Sequence, residues 1–138
     1  MNPETRFRAY LHAFNGRDWN ALRGFYAPEV RLMIGNGTEL AGREAIIDFY
    51  TRVNRQTRRT IEIVQCLANE VTLAAEIESE FLALEDVPDF LKQPLVRGDR
   101  YYLNSFVFYE FSGEQYTRIR AATFRSEFRP VASTEEKR

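Results

Sequence analysis

Apolar positions change their spacing once along the chain, near Arg59, and this divides it into a helical first part and a stranded second part. Phe7, Tyr10, Leu11 and Phe14 recur at helical spacing, with Asn2 as cap, Pro3 and Glu4 in the first turn and Asn15-Gly16 at the end. His12 falls nearly opposite that stripe and is expected to face water, while Tyr10 sits on its flank. Asp18 reads as the cap of a short second helix carrying Trp19, Leu22 and Phe25, which stops near Ala27-Pro28 because the residue before a proline avoids the helical region. Residues 30–34 then form a short strand, and Gly35-Asn36-Gly37 marks a turn or bulge. Gly42 leads into a third helix with Ile46, Phe49, Tyr50 and Val53 inside and Arg43, Glu44, Asp48 and Arg52 outside.

From Arg59 onward the period falls to two, which predicts strands over 59–67, 71–84, 99–111 and 115–128. Short turns at Ala68-Asn69-Glu70 and Ser112-Gly113-Glu114 make the strands they join antiparallel. Residues 85–98, with Pro88 and Pro94, are too long for a tight hairpin and form a candidate lid or rim loop, with Asp99 placed to close it. The order predicts one α+β domain over 1–130, a curved antiparallel sheet with helices on one face, and a polar, frayed tail over 131–138. The strand over 99–111 puts Tyr101, Val107 and Tyr109 on one side and Tyr102, Phe106 and Phe108 on the other, so both sheet faces need cover. Helices cover one. A second copy of the sheet, in a two-fold homodimer, is the simplest cover for the other, and a wider wrap within one chain is the alternative.

With 138 residues the chain holds one core, and 44% apolar with 28% charged residues describes an ordinary folded domain. Nineteen basic residues against 20 acidic ones leave a net charge of -1, too even to favour nucleic acid or anionic membrane as a partner. One cysteine and one histidine exclude an internal disulfide and a closed zinc site, so neither metal nor cofactor is expected. The thiol suits a reducing compartment. The first residues alternate apolar and charged types without a secretory apolar run, and a cytoplasmic location is expected.

Two stretches carry a family resemblance. The first runs from Ala9-Tyr10-Leu11-His12-Ala13-Phe14-Asn15-Gly16-Arg17-Asp18-Trp19 through Tyr26-Ala27-Pro28-Glu29-Val30 to Leu40-Ala41-Gly42-Arg43-Glu44-Ala45-Ile46 and Phe49-Tyr50. The second runs from Gly98-Asp99 through Tyr109-Glu110-Phe111-Ser112-Gly113 to Ile119-Arg120. Together they resemble the nuclear transport factor 2-like, or SnoaL-like, superfamily, which includes polyketide cyclases and ketosteroid isomerases. The resemblance implies a cystatin-like cone with the N-terminal helices on the concave face of the sheet. Set beside ketosteroid isomerase, Tyr10 falls at the oxyanion-binding tyrosine, and Tyr26 and Tyr50 at supporting tyrosines, while Ile34 and Val107 stand where that family carries its two catalytic aspartates. The cone hosts isomerases, cyclases, epoxide hydrolases, dehydratases and silent binding domains.

The cavity so implied would be lined by Phe14, Trp19, Phe25, Leu32, Phe49 and Tyr109, with Tyr26, Ile34, Tyr50 and Val107 added by the family positions. Ser105 and Asn104 occupy opposite faces of their strand, so at most one, Ser105 in this reading, meets a ligand. Glu76, Glu78 and Glu80 share one strand face. They either pair with Arg118 and Arg120 on a solvated or interface surface, or place Glu78 at the mouth as a general base. Arg120 either binds an enolate or carboxylate or balances those glutamates. The leading expectation is cofactor-free isomerisation, cyclisation or dehydration of a small hydrophobic carbonyl compound, with Tyr10, Arg120 and Glu78 as catalytic residues. A non-catalytic ligand binder and a dimeric interaction module remain the alternatives.

Overall fold

The Asn2 side chain accepts a hydrogen bond from the Thr5 amide at 2.7 Å and, with proline in the first turn, starts α1 (Pro3–Asn15). This computed structural model describes residues 2–35 and 37–131; Asn36 and the polar tail beyond Val131 lie outside the described residues. Phe7, Tyr10, Leu11 and Phe14 of α1 are buried and His12 is exposed, as the helical period requires. Asp18 caps α2 (Trp19–Arg23) through the Ala21 amide. α3 (Arg43–Gln56) follows Gly42, whose φ of 89° is a conformation that side chains with a Cβ rarely adopt.

Six strands form one mixed sheet that is not closed: β1 (Tyr26–Met33), β2 (Glu39–Ala41), β3 (Thr57–Ala68), β4 (Thr72–Ala83), β5 (Arg100–Ser112) and β6 (Gln115–Arg129), in the order β2-β1-β6-β5-β4-β3. The fold is α+β with N-terminal helices, as expected, and every ladder is antiparallel except β1 with β6, which is parallel. Two details were outside the reach of periodicity. β1 begins at Tyr26 and passes through Pro28, because the register shifts between Tyr26 and Arg31 and a missing N–H there interrupts no ladder bond. β2 has only three residues, too few to show an alternation.

The alternation along β4 sorts the sheet into two faces. Leu73, Ala75, Ile77, Ser79, Phe81 and Ala83 are buried, while Glu76, Glu78 and Glu80 lie on the opposite side. The buried side joins Phe7, Phe14, Tyr26, Ile46 and Tyr116 in the main core, and each such large apolar side chain contributes roughly 1.5–3 kcal/mol by leaving water. A smaller cluster of Ala83, Val87 and Leu95, with Phe90, Tyr101 and Phe128 against it, ties the loop after β4 to the sheet. Asp99 closes that loop by accepting the Val96 and Val131 amides, each at 2.8 Å. Among the described residues no helix is long and apolar enough to cross a membrane.

Candidate functional site

The helices leave part of the sheet's inner face uncovered, and a cavity of about 420 Å³ opens there, walled by α1, α3, the sheet and the loop after β4. Leu32, Ile77, Val107 and Ile119 provide apolar wall from four strands. Tyr10 and Phe14, one turn apart on the inward face of α1, come from that helix, and the adjacent Phe49 and Tyr50 come from α3. Val87, Asp89, Phe90 and Leu91 belong to the loop, and Asp89 and Leu91 are exposed, so this edge is the rim. Gly35, just past β1, also lines the cavity; a Cβ there would stand 2.7 Å from the Thr123 Oγ1, so any larger residue would force the Thr123 side chain to shift.

The phenols form the polar end. Tyr10 and Tyr26 share a hydrogen bond of 2.6 Å between hydroxyls, and the Tyr10 ring meets Tyr109 and Tyr116 edge-on at 6.0 and 5.2 Å. Burial, reinforced by the neighbouring phenols, pushes the Tyr10 pKa well above its ordinary value. Burial does the same to Tyr26 and Tyr109. All three therefore keep their protons at neutral pH and act as hydrogen-bond donors rather than bases. The Tyr50 hydroxyl is also raised by burial, with the Arg59 guanidinium pulling in the opposite direction. The Ser105 and Thr123 hydroxyls, 3.0 Å apart, form a second polar point on the sheet wall.

Arg59 is the site residue that sequence reasoning missed. It lies on the same strand face as the buried Ile61 and lines the cavity, with its guanidinium 5.5 Å from the Phe14 ring and 5.1 Å from the Phe81 ring. Its Nε and Nη2 both donate to the Ser79 Oγ, at 3.1 and 2.9 Å. The signal was its odd-numbered phase with Ile61 and Ile63, which assigns it to the core face.

Nine of the residues expected to bind substrate or catalyse line this cavity: Tyr10, Phe14, Leu32, Ile34, Phe49, Tyr50, Ser105, Val107 and Tyr109. Tyr26 stands behind Tyr10, fully buried, and does not reach it. Trp19 and Phe25 lie outside the lining; the Trp19 ring meets the Phe14 ring edge-on at 6.3 Å, and Phe25 meets Tyr10 at 5.6 Å. The placements expected of Glu78 and Arg120 are corrected. Glu78 is on the outer sheet face, accepting from Asn104 at 3.3 Å, because Ile77 and Ser79 take the inward positions of β4. Arg120 is exposed on the same outer face, between the inward Ile119 and Ala121, with its guanidinium 5.3 Å from the Phe108 ring. Nor do the arginines meet the β4 glutamates: β5 lies between, so Arg118 and Arg120 reach Glu110, at 3.5 and 3.7 Å, while Glu80 accepts from Tyr102 at 2.6 Å. Among the described residues no three His, Cys, Asp or Glu side chains gather as a metal site.

Comparison with known proteins places this geometry. The solved structure of a proposed polyketide cyclase from Xanthomonas campestris is 26% identical, with a TM-score of 0.74 over 86% of this chain and 87% of that one. A SnoaL-like polyketide cyclase from Agrobacterium tumefaciens is 19% identical and superposes with a TM-score of 0.74 over 100% of this chain and 99% of its own. A computationally designed 17-OHP binder, 14% identical, shares the fold with a TM-score of 0.70 over 89% of this chain and 95% of its own. No curated protein matches the sequence. The family described as SnoaL-like domain matches residues 7–119, and the chain belongs to that family.

Proposed function

We propose that the chain binds a small hydrophobic carbonyl compound in this cavity and activates it, through Tyr10, for cofactor-free isomerisation, cyclisation or dehydration. The observation that carries the reading is the Tyr10 hydroxyl, protonated and held at 2.6 Å from Tyr26 on the wall of a largely apolar cavity. When Tyr26 donates to Tyr10, the Tyr10 proton is free for a carbonyl oxygen, and the paired phenols strengthen that bond as negative charge grows on the oxygen. The cyclases of the same fold support the chemistry by likeness.

A second reading, binding without turnover, is favoured by Ile34 and Val107: both line the cavity, and the resemblance sets them at the positions where ketosteroid isomerases carry aspartates. The computationally designed 17-OHP binder of the same fold supports such a role by likeness. Tyr10→Phe tests both. A panel of hydrophobic ketones is first screened by thermal shift. Affinity for a ketone found this way is expected to fall about tenfold in the variant, the worth of roughly one hydrogen bond. Turnover, if the first reading holds, falls further than affinity. Unchanged ketone affinity in Tyr10→Phe would remove the reading.

The reading includes a two-fold homodimer built on the outer sheet face, in a cytoplasmic setting that suits the free Cys66. Phe106 and Phe124 stack there at 4.4 Å while 55% and 50% exposed, an uncovered aromatic pair. Around them β4 presents Glu76, Glu78 and Glu80 on one side of β5, and β6 presents Arg118, Arg120 and Arg125 on the other. A two-fold axis through β5 lays the acidic strand of one copy over the basic strand of the next. The native chain is expected to elute at twice its chain mass, and Phe106→Glu with Phe124→Glu at once. A native chain that sediments as a monomer at high micromolar concentration rules the dimer out.

A further inference from the structure

The cavity contains a charge that a purely apolar ligand would leave stranded. Arg59 stands in its wall between two aromatic rings, and among the described residues no carboxylate lies within 4.0 Å of its guanidinium. Asp89, the acidic residue that lines the cavity, is exposed on the rim and makes no ion pair with it. Ser79, with 0% of its surface exposed, takes the Nε and Nη2 donors, which fixes the plane of the guanidinium while Nη1 takes no part in either bond. The groups near the guanidinium are the phenols of Tyr50 and Tyr109, which keep their protons; the Tyr50 oxygen faces Arg59 as a neutral acceptor, and neither phenol supplies a competing anion. A planar, oriented cation among neutral groups in a largely apolar hollow fits a planar anion.

We propose that the cavity recognises an acid: Arg59 holds the carboxylate of an amphipathic carboxylic acid whose apolar body lies against Phe14, Ile77 and Val107. The assignment rests on the reading above that this cavity is the ligand site, and it narrows the carbonyl compound to one that also bears an acidic group. It moves to Arg59 the anion-binding role that the sequence suggested for Arg120.

The test uses a matched pair of probes, phenylbutyrate and the methyl ketone of the same carbon skeleton, titrated by calorimetry and by chemical shifts of cavity methyl groups. The native protein is expected to bind phenylbutyrate about tenfold to a hundredfold more tightly than the ketone, the worth of a hydrogen-bonded pair with one charged partner converted to affinity. Arg59→Met should abolish that preference, with phenylbutyrate affinity falling to about that of the ketone. Arg59→Lys, which keeps the charge without the fork, should retain part of it and serves as the readout if the methionine variant does not fold. Phenylbutyrate affinity should also fall as pH is lowered through the probe's own titration, whereas ketone affinity should not. Equal binding of the two probes, or a preference unchanged in both Arg59 variants, overturns the acid assignment and leaves the cavity reading standing. If neither probe shifts the cavity methyls, the cavity reading and this assignment fall together.

Discussion

Above pH 10 the protein is expected to lose stability by about 4 kcal/mol for each further pH unit and to unfold in a single alkaline step. The sign follows from the three phenols of the core. Burial raises the folded-state pKa values of Tyr10, Tyr26 and Tyr109 well above the ordinary 10.0, so the folded chain keeps three protons that the unfolded chain releases from pH 10 upward. Their contribution is fully present below that pH and is lost as pH climbs toward the folded-state values. Each group adds a slope of about 1.4 kcal/mol per pH unit, and three together consume a typical stability of roughly 5–15 kcal/mol within a few units. Tyr116, pushed to about 12 by burial with Arg6 opposing, adds to the same slope. Tyrosinate absorbance and far-ultraviolet circular dichroism, followed through one alkaline titration, should report the buried phenols and the loss of helix together. Tyr109→Phe should make the transition shallower, because one of the retained protons is gone. Buried phenols that ionise smoothly near pH 10 with the helices intact would contradict this account of the core.

The architecture was legible because each element announced its own period. Asn2, Pro3 and the Phe7-to-Phe14 spacing dictate α1, and the alternation after Arg59 dictates the strands, since both signals depend on neighbours within one element. Which strand face turns inward is a different kind of fact. Alternation states that Glu76, Glu78 and Glu80 share a side, but the helices decide which side is covered, so Glu78 was placed at the cavity while Ser79 and Ile77 occupy that position. The same physics hid Arg59. Beside Arg58 it reads as surface charge, and the partner that holds it inside, Ser79, lies twenty residues further on, across the β3–β4 ladder. Tyr10 was found by resemblance rather than by pattern, because a helix wheel puts it on the flank of the stripe and only Tyr26, arriving from β1, makes its hydroxyl a buried, partnered group. Trp19 goes the other way: expected in the cavity lining, it stands on α2 against Phe14 and outside that lining.

Phe14→Ala is expected to destabilise the chain by about 3–5 kcal/mol, the largest loss foreseen for a residue that touches the cavity. Phe14 is 1% exposed and sits where three parts of the site meet. Its ring meets Tyr50 of α3 edge-on at 4.9 Å and Trp19 of α2 at 6.3 Å, and the Arg59 guanidinium of β3 lies 5.5 Å from it. Truncation removes the transfer energy of the ring, and the hollow already beside it means the surroundings have little material with which to collapse into the gap. It also withdraws the surface against which Tyr50 and Arg59 are braced, so ligand affinity should weaken along with stability, at temperatures where the variant stays folded. Trp19→Phe, on the other side of the same ring and outside the lining, keeps an aromatic ring against Phe14 and should leave affinity within about twofold. Urea unfolding of Phe14→Ala can be followed by the fluorescence of Trp19, the chain's single tryptophan. A cost below about 1 kcal/mol, the range of ordinary surface changes, would mean that the ring is not the brace between α1, α3 and β3, and that Arg59 is held in the cavity wall by Ser79 alone.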